Sequence, residues 1–187
     1  MNGSLLLAPH NDDETLFASY LCLMHKPHVV VCLRSMRMAD PNYPGGMPIA
    51  YEIRERETQC AMEVLGCTWE QWMIYDNYPL SWERALEEHM QNIRPVPEHV
   101  FAPAPELGGH EQHNTVGEMA RRIFGAGNVT HYLTYTAKGR STNDTPIECP
   151  VGWLDIKRTA MACYASQAAH PATRTWFEQD DLREFAL

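Results

Sequence analysis

Two short segments of the chain combine histidines and carboxylates at spacings that could support hydrolytic or metal chemistry. Residues 9–14 read PHNDDE and residues 110–113 read HEQH. Two histidines and a carboxylate from separate loops can make a three-ligand zinc site that leaves a fourth position for water. Each segment also has an ordinary structural explanation, because acidic residues cap helix N-termini and two histidines three positions apart are common by chance.

The predicted elements around these segments place both at one edge of a sheet. Residues 5–8 predict a buried strand before the first segment, and residues 99–102 predict a strand before the second. Helical spacing follows each segment, over residues 12–24 and 114–124. Further strands are predicted at 29–33, 72–75, 132–136 and 147–151, and further helices at 49–65, 82–93 and 155–168.

Alternating strands and helices predict an α/β fold, a three-layer α/β/α sandwich around a mostly parallel, Rossmann-like sheet. In such sheets ligands bind beyond the carboxyl ends of the strands, where both histidine segments are expected. No G-x-G-x-x-G follows the first strand, which argues against a dinucleotide-binding protein. A proline- and glycine-bearing loop over residues 35–47 is the predicted lid.

Length and charge bound the class of protein. A chain of 187 residues predicts a single domain over residues 1–187, and a formal net charge of −9 argues against a nucleic-acid partner. The apolar N-terminal stretch is too short for a signal peptide or a membrane span. Six cysteines without a C-x-x-C pair predict a reduced, cytoplasmic protein that needs no disulfide. The sequence leaves a homo-oligomer open.

Together the two segments resemble the PIG-L and LmbE family of zinc-dependent N-acetylglucosaminyl deacetylases. That family carries P-H-P-D-D-E after its first strand and H-P-D-H after a later one. The resemblance continues in an R-x-x-E element at Arg54 and Glu57, in the leucine-glycine pair at 65–66, and in Ser166-Gln167 near the end of the last predicted helix. Four motifs in the family's order cover about residues 4–168.

The resemblance implies specific roles in this chain. The implied zinc ligands are His10, Asp13 and His113. Asp12 would be the general base that deprotonates the zinc-bound water, and His110 would stabilise the oxyanion or protonate the leaving amine. Arg54 is the candidate substrate anchor; the alternative is an ion pair with Glu57 one helical turn away.

The implied activity is hydrolysis of the N-acetyl amide of an N-acetylglucosamine-type sugar or conjugate, which releases acetate and a free amine. The expected partner is therefore a small-molecule amino sugar. Two alternatives stay open: a zinc amidohydrolase acting on another N-acyl small molecule, and a non-catalytic metal- or sugar-binding module of the same fold.

The chain departs from the family pattern at two positions. Asn11 replaces a proline or small residue, and its side chain is expected to hydrogen-bond locally. Gln112 replaces the acidic residue between the two histidines, which we expect to weaken His110 as an acid. Among the remaining motif residues, Ser166 and Gln167 are expected to brace the site and Lys157 to be a solvated surface charge.

Overall fold

The computed structural model of the chain describes residues 3–34, 51–75, 82–134, 145–170, 173–179 and 182–187. The strands are β1 (Ser4–Ala8), β2 (His28–Val31), β3 (Trp69–Gln71), β4 (His99–Pro103), β5 (Val129–Tyr132), β6 (Thr145–Pro146) and β7 (Phe185–Ala186). The helices are α1 (Asp13–Phe17), α2 (Ser19–His25), α3 (Tyr51–Leu65), α4 (Trp82–Gln91), α5 (Glu111–Phe124), α6 (Trp153–Ala162), α7 (Ala165–Ala169) and α8 (Arg174–Phe177), with a 3₁₀ turn at Ala126–Asn128.

The seven described strands form one sheet in the order β3-β2-β1-β4-β5-β7-β6. The first five of these pair in parallel, and β7 pairs antiparallel with β5 and β6. The direction of winding reverses between β1 and β4, and a crevice for ligands opens at such a reversal beyond the carboxyl ends of the strands. The predicted α/β fold with a mostly parallel sheet is confirmed.

Side chains on the two faces of the sheet form separate hydrophobic cores. Leu6 and Ala8 of β1 point to one core, which also holds residues from α1, α2, α3 and α6. Leu5 and Leu7 point to the other core with residues of α4 and α5. This alternation is the period of two expected of a strand, and it places helices on both faces of the sheet.

Several predicted boundaries moved because tertiary contacts override local patterns. The helix predicted at 12–24 is divided at Ala18, and the one predicted at 155–168 is divided at residues 163–164. The strand predicted at 72–75 is instead β3, three residues earlier, and Tyr75 forms only an isolated bridge with Arg34. The strand predicted at 147–151 is likewise observed earlier, as β6, and β5 begins three residues before the strand predicted at 132–136, whose last two residues lie outside the described ranges.

The predicted lid over residues 35–47 lies outside the described residues, and the single domain stays a prediction. No helix among the described ranges is long and apolar enough to cross a membrane.

Lys157 is buried, and the prediction that it is a solvated surface charge is wrong. Its side chain is 0% exposed; the ammonium lies 2.6 Å from Glu184 Oε1 and donates to the Leu16 carbonyl at 2.8 Å. Burial raises the pKa of Glu184, and the Lys157 ammonium counteracts that rise. The helical pattern around Lys157 could not reveal this environment, because Glu184 comes from the distant C-terminal segment.

A disulfide joins Cys60 of α3 to Cys163, which follows α6. The prediction of a fully reduced chain is therefore wrong for this pair. The two cysteines are 103 residues apart in the sequence. They meet because α3 packs against α6, a proximity that a search for short cysteine motifs does not detect.

Gly117 allows α5 to approach the end of β4 closely. A Cβ at this position would lie 2.1 Å from the carbonyl oxygen of Pro103. This oxygen is a backbone atom, so a change of side-chain rotamer cannot relieve the clash. Glycine is otherwise unfavourable within a helix by about 1 kcal/mol relative to alanine. The close packing therefore explains why a glycine occupies a buried position in the middle of α5.

We expect Gly117→Ala to destabilise the fold by about 1–3 kcal/mol, the usual cost of overpacking, despite the better helix propensity of alanine. Thermal or urea unfolding of the purified variant measures the change. Gly127→Ala is the matched control, because a Cβ there meets nothing within 4 Å. A Gly117→Ala variant as stable as the parent, or more stable, would contradict this packing.

Candidate metal and catalytic site

The two histidine-bearing segments meet in the crevice between β1 and β4. His10 follows β1 after Pro9, and His113 lies in the first turn of α5, which follows β4. Because β1 and β4 are paired neighbours in the sheet, their carboxyl ends bring these side chains together. Asp13, the first residue of α1, completes the group.

Three atoms of this group are placed as the ligands of one small cation would be. Asp13 Oδ2 lies 3.2 Å from His10 Nδ1 and 3.1 Å from His113 Nε2, and the two histidine nitrogens are 3.3 Å apart. Zinc–nitrogen bonds of about 2.0–2.1 Å give a tetrahedron with edges of about 3.3 Å. The three atoms therefore fit one face of a tetrahedral zinc site.

Asp13 and His113 are buried, whereas the His10 side chain is 12% exposed. Burial raises the pKa of the Asp13 carboxyl, but His113 and His10 outweigh it and hold that pKa below its usual range. Asp13 Oδ2 also accepts a hydrogen bond from the backbone N–H of His10 at 2.9 Å. The carboxylate is therefore ionised and fixed, as a metal ligand must be.

Asp12 has a left-handed backbone, with φ 107° and ψ −26°. This conformation is unfavourable for most L-residues, but aspartate and asparagine tolerate it best after glycine. It allows the adjacent Asp13 to begin α1 while the Asp12 carboxylate takes a separate position. Although Asp12 stands at the helix N-cap, its side chain makes no capping hydrogen bond, so capping does not account for this carboxylate.

Burial raises the pKa of Asp12 well above its ordinary value. The guanidinium of Arg54, whose Nη2 is 3.8 Å from Asp12 Oδ2, opposes this shift, and the carboxyls of Asp13 and Glu14 add to it. A carboxylate with a raised pKa is a better general base near neutral pH than an exposed one.

Arg54 is buried and contacts the loop that carries Asp12. Its Nη2 donates a 2.6 Å hydrogen bond to the carbonyl of Asn11, the residue before Asp12. Glu57 has a different partner, because its carboxylate accepts hydrogen bonds from the backbone N–H and the hydroxyl of Ser166, both at 2.7 Å. The R-x-x-E element thus ties α3 to the loop at residues 9–12 and to the N-terminus of α7.

Glu14 stabilises the same loop through hydrogen bonds to its buried carboxylate. Its carboxylate accepts from the backbone N–H of Asp12 at 3.1 Å and from the hydroxyl of Thr15 at 2.9 Å, and the Tyr164 hydroxyl donates to it as well. Burial raises the pKa of Glu14 to about 7. Tyr164 is also fully buried, so its hydroxyl links the loop to the chain between α6 and α7.

Asn11 reaches beyond its own loop, which differs from the local hydrogen bond expected. Its amide nitrogen donates to the Thr58 hydroxyl at 2.8 Å, and it exchanges two 3.2 Å hydrogen bonds with the Gln71 side chain. Asn11 therefore joins the loop at residues 9–12 to α3 and to β3. Of the two residues expected to brace the site, Ser166 does so through Glu57, and Gln167 is buried with its amide donating to the Ser166 hydroxyl at 3.0 Å.

His110 is exposed at the N-cap of α5, with its ring edge-to-face against His10 at a centroid distance of 5.2 Å. Its Nδ1 accepts from the backbone N–H of Gln112 at 3.3 Å. In a neutral ring the proton must then lie on Nε2, which makes that atom a hydrogen-bond donor. The loop before it is held by Asn114, whose side chain bonds both the N–H and the carbonyl of Glu106.

The Gln112 side chain faces a different histidine from the one expected. Its Oε1 lies 2.6 Å from Nε2 of His10, while its backbone N–H bonds His110. The helical spacing predicted a helix only from residue 114, so it did not show that Gln112 points into the crevice. The sequence reasoning likewise missed the parts played by Tyr164, Thr58 and Asn114.

Comparison with known proteins identifies a matching family and solved structures of similar fold. The sequence profile of the GlcNAc-PI de-N-acetylase family, PIG-L, matches residues 5–124. That span includes both histidine segments and the R-x-x-E element. Curated protein sequences give no match.

Solved structures share the fold at low sequence identity. A triple mutant of a deacetylase from teicoplanin biosynthesis has a TM-score of 0.76 at 14% identity, over 99% of this chain and 97% of that one. GalB, a 4-carboxy-2-hydroxymuconate hydratase from Pseudomonas putida, has a TM-score of 0.71 at 15% identity, over 100% of this chain and 95% of its own.

A zinc-inhibited form of the teicoplanin deacetylase Orf2 has a TM-score of 0.67 at 15% identity, over 88% of this chain and 84% of that one. The profile match covers more than half of the chain, and the solved structures have a similar fold. This chain therefore belongs to the PIG-L family of de-N-acetylases, which are hydrolases.

Proposed function

We propose that this protein is a zinc-dependent N-deacetylase that hydrolyses the acetamide of an N-acetylglucosamine-type sugar or conjugate. The observation that carries the proposal is the geometry of two adjacent buried aspartates. Asp13 lies with His10 and His113 at the spacing of a tetrahedral cation site, and the left-handed turn at Asp12 leaves a second carboxylate beside that site. A metal centre with a neighbouring base can hydrolyse an unactivated amide, because the metal polarises the carbonyl and the base takes a proton from the attacking water.

The proposal assigns His10, Asp13 and His113 as the residues that would hold the zinc ion. A bound zinc would supply Lewis acidity, which lowers the pKa of water and polarises the amide carbonyl. The Asp12 carboxylate takes a proton from the attacking water at one of its oxygens. His110 donates from Nε2–H to the oxygen that gains negative charge. The amide C–N bond breaks, and the proton taken from water leaves with the amine.

Arg54 keeps a place in the proposal, but its contacts support a positioning role. A guanidinium that is 4% exposed and bonded to the Asn11 carbonyl has little surface to offer a sugar. We therefore propose that Arg54 holds the turn at Asp12 and keeps the Asp12 carboxylate ionised. The direct grip on the substrate that the resemblance implied is the alternative.

The test of the proposed function must separate deacetylation from the hydration reaction named for GalB, a protein of similar fold. GalB is a hydratase, and adding water to a double bond releases neither acetate nor an amine. Zinc must also be supplied at one equivalent, since the teicoplanin deacetylase Orf2 has a zinc-inhibited form. Metal-depleted protein reconstituted with zinc, cobalt or manganese will show which ion supports turnover.

We expect protein loaded with one metal ion to release acetate and a primary amine in equal amounts from an N-acetylglucosamine conjugate. The panel contains free N-acetylglucosamine, a β-linked disaccharide of it, a nucleotide-linked form and a lipid-linked form. N-acylated amino acids are the control for a broader amidohydrolase. Release from the amino acids alone would overturn the sugar assignment, and metal-loaded protein inactive on every compound would support the binding-module alternative.

A second prediction separates the two aspartates. Asp12→Asn should stay folded and keep its metal, because asparagine also tolerates the left-handed backbone, while turnover falls by about two orders of magnitude or more. Asp13→Asn should lose most of its bound zinc. Metal content by mass spectrometry, unfolding curves and single-substrate kinetics give the three measurements.

The neutral amide in both variants makes them a matched pair, since each removes one charge without changing side-chain size. If Asp12→Asn kept nearly the parent kcat, the base assignment would be wrong. A loss of metal in Asp12→Asn as large as that in Asp13→Asn would instead make Asp12 a ligand.

The cytoplasm stays the proposed location. The Cys60–Cys163 disulfide removes part of the support for that location, because stable disulfides are rare in reducing compartments. A small amino-sugar substrate is the proposed partner, and a homo-oligomer is left to measurement in solution.

A further inference from the structure

Gln112 makes the shortest side-chain contact that His10 has with the opposite wall of the crevice. Its Oε1 lies 2.6 Å from His10 Nε2, and Gln112 is 7% exposed. The other ring nitrogen of His10, Nδ1, is the one that faces Asp13 and His113. One nitrogen of the His10 imidazole thus contacts an amide on α5, and the other faces the candidate metal site.

Two oxygens compete for the proton of the neutral His10 ring: Gln112 Oε1 at 2.6 Å from Nε2 and Asp13 Oδ2 at 3.2 Å from Nδ1. An amide oxygen can only accept a hydrogen bond, and its contact is the shorter of the two, so Gln112 favours the ring with its proton on Nε2. In the neutral ring that tautomer leaves the lone pair on Nδ1, toward Asp13 Oδ2 and His113 Nε2. Metal-ligating histidines depend on such outer partners, whose loss typically lowers metal affinity by about 10- to 100-fold.

We propose that Gln112 is the positioning residue for His10, which fixes its tautomer and ring orientation so that Nδ1 is presented to the metal. This inference rests on the proposed function, in which His10 is a zinc ligand. The proposal also explains what changes when an amide, and not a carboxylate, occupies position 112. A carboxylate at this position would accept the same hydrogen bond and make His10 a more basic metal ligand. The amide therefore gives a lower metal affinity than the acid would.

Gln112, in the first turn of α5, contacts two histidines of the crevice, one through its side chain and one through its backbone. The Gln112 side chain orients His10, and its backbone N–H donates a hydrogen bond to His110 Nδ1. One residue therefore favours a proton on Nε2 in the neutral rings of two histidines of the crevice. The two Nε2–H groups have different acceptors: that of His10 donates to Gln112 Oε1, whereas that of His110 donates to the substrate oxygen in the proposed mechanism.

The experiment compares parent, Gln112→Met and Gln112→Glu. Methionine has a similar length and no hydrogen-bond acceptor of comparable strength, and glutamate keeps an oxygen at the same reach. Zinc affinity is measured by competition with a chromophoric chelator. We expect the zinc Kd of Gln112→Met to rise by about 10- to 100-fold and that of Gln112→Glu to equal or fall below the parent value.

A second measurement reads the tautomer directly and does not depend on metal. Long-range ¹H–¹⁵N spectra of zinc-free protein at about pH 8, above the ordinary pKa of imidazole, identify the protonated nitrogen of His10. We expect the proton on Nε2 in parent and Gln112→Glu, and a shift toward Nδ1 in Gln112→Met. Unfolding curves of the zinc-free variants show that each is folded.

Unchanged zinc affinity together with an unchanged His10 tautomer in Gln112→Met would overturn the inference. A parent protein that binds no zinc would instead contradict the proposed function. In that case the tautomer spectra still decide whether Gln112 orients His10.

Discussion

The left-handed backbone at Asp12 is the constraint on which the rest of the site depends. Two consecutive aspartates on a regular helix or strand point in different directions, so one cannot ligate a small ion while the other lies beside the same ion. At this junction, φ 107° at Asp12 turns the chain so that Asp13 starts α1 among the histidines and Asp12 stands beside them. A residue held at such an angle costs of order 1–3 kcal/mol, so the surrounding structure must over-determine it.

That surrounding structure is a buried polar network with contributions from much of the chain. Glu14 bonds the Asp12 N–H, Arg54 bonds the Asn11 carbonyl, and Tyr164 bonds Glu14 from beyond α6. Buried polar groups of this kind stabilise a fold only when their hydrogen bonds are made. The conformation of one loop is therefore coupled to the packing of α3 and of the segment between α6 and α7, which the Cys60–Cys163 disulfide also joins.

The fold could largely be predicted from local sequence patterns, and the members of the site from the family resemblance of two short motifs. Apolar runs alternating with helical spacing predicted the parallel sheet, and the motifs at 9–14 and 110–113 predicted the residues that the crevice brings together. The predicted roles of those residues have not been tested. The contacts of Gln112, Asn11 and Lys157 could not be predicted, because they depend on where each side chain points once distant elements have packed, which the motifs and the helical spacing do not specify. Local patterns contain no information about such partners.

A crystal structure of the protein loaded with one equivalent of zinc is the most direct test of this site. We expect a single ion bound by His10 Nδ1, Asp13 and His113 Nε2 at about 2.0–2.2 Å. The Asp12 carboxylate should lie outside the coordination shell, with its backbone φ still positive. A structure in which Asp12 coordinates the ion, or in which the backbone at Asp12 has relaxed to negative φ, would contradict the account.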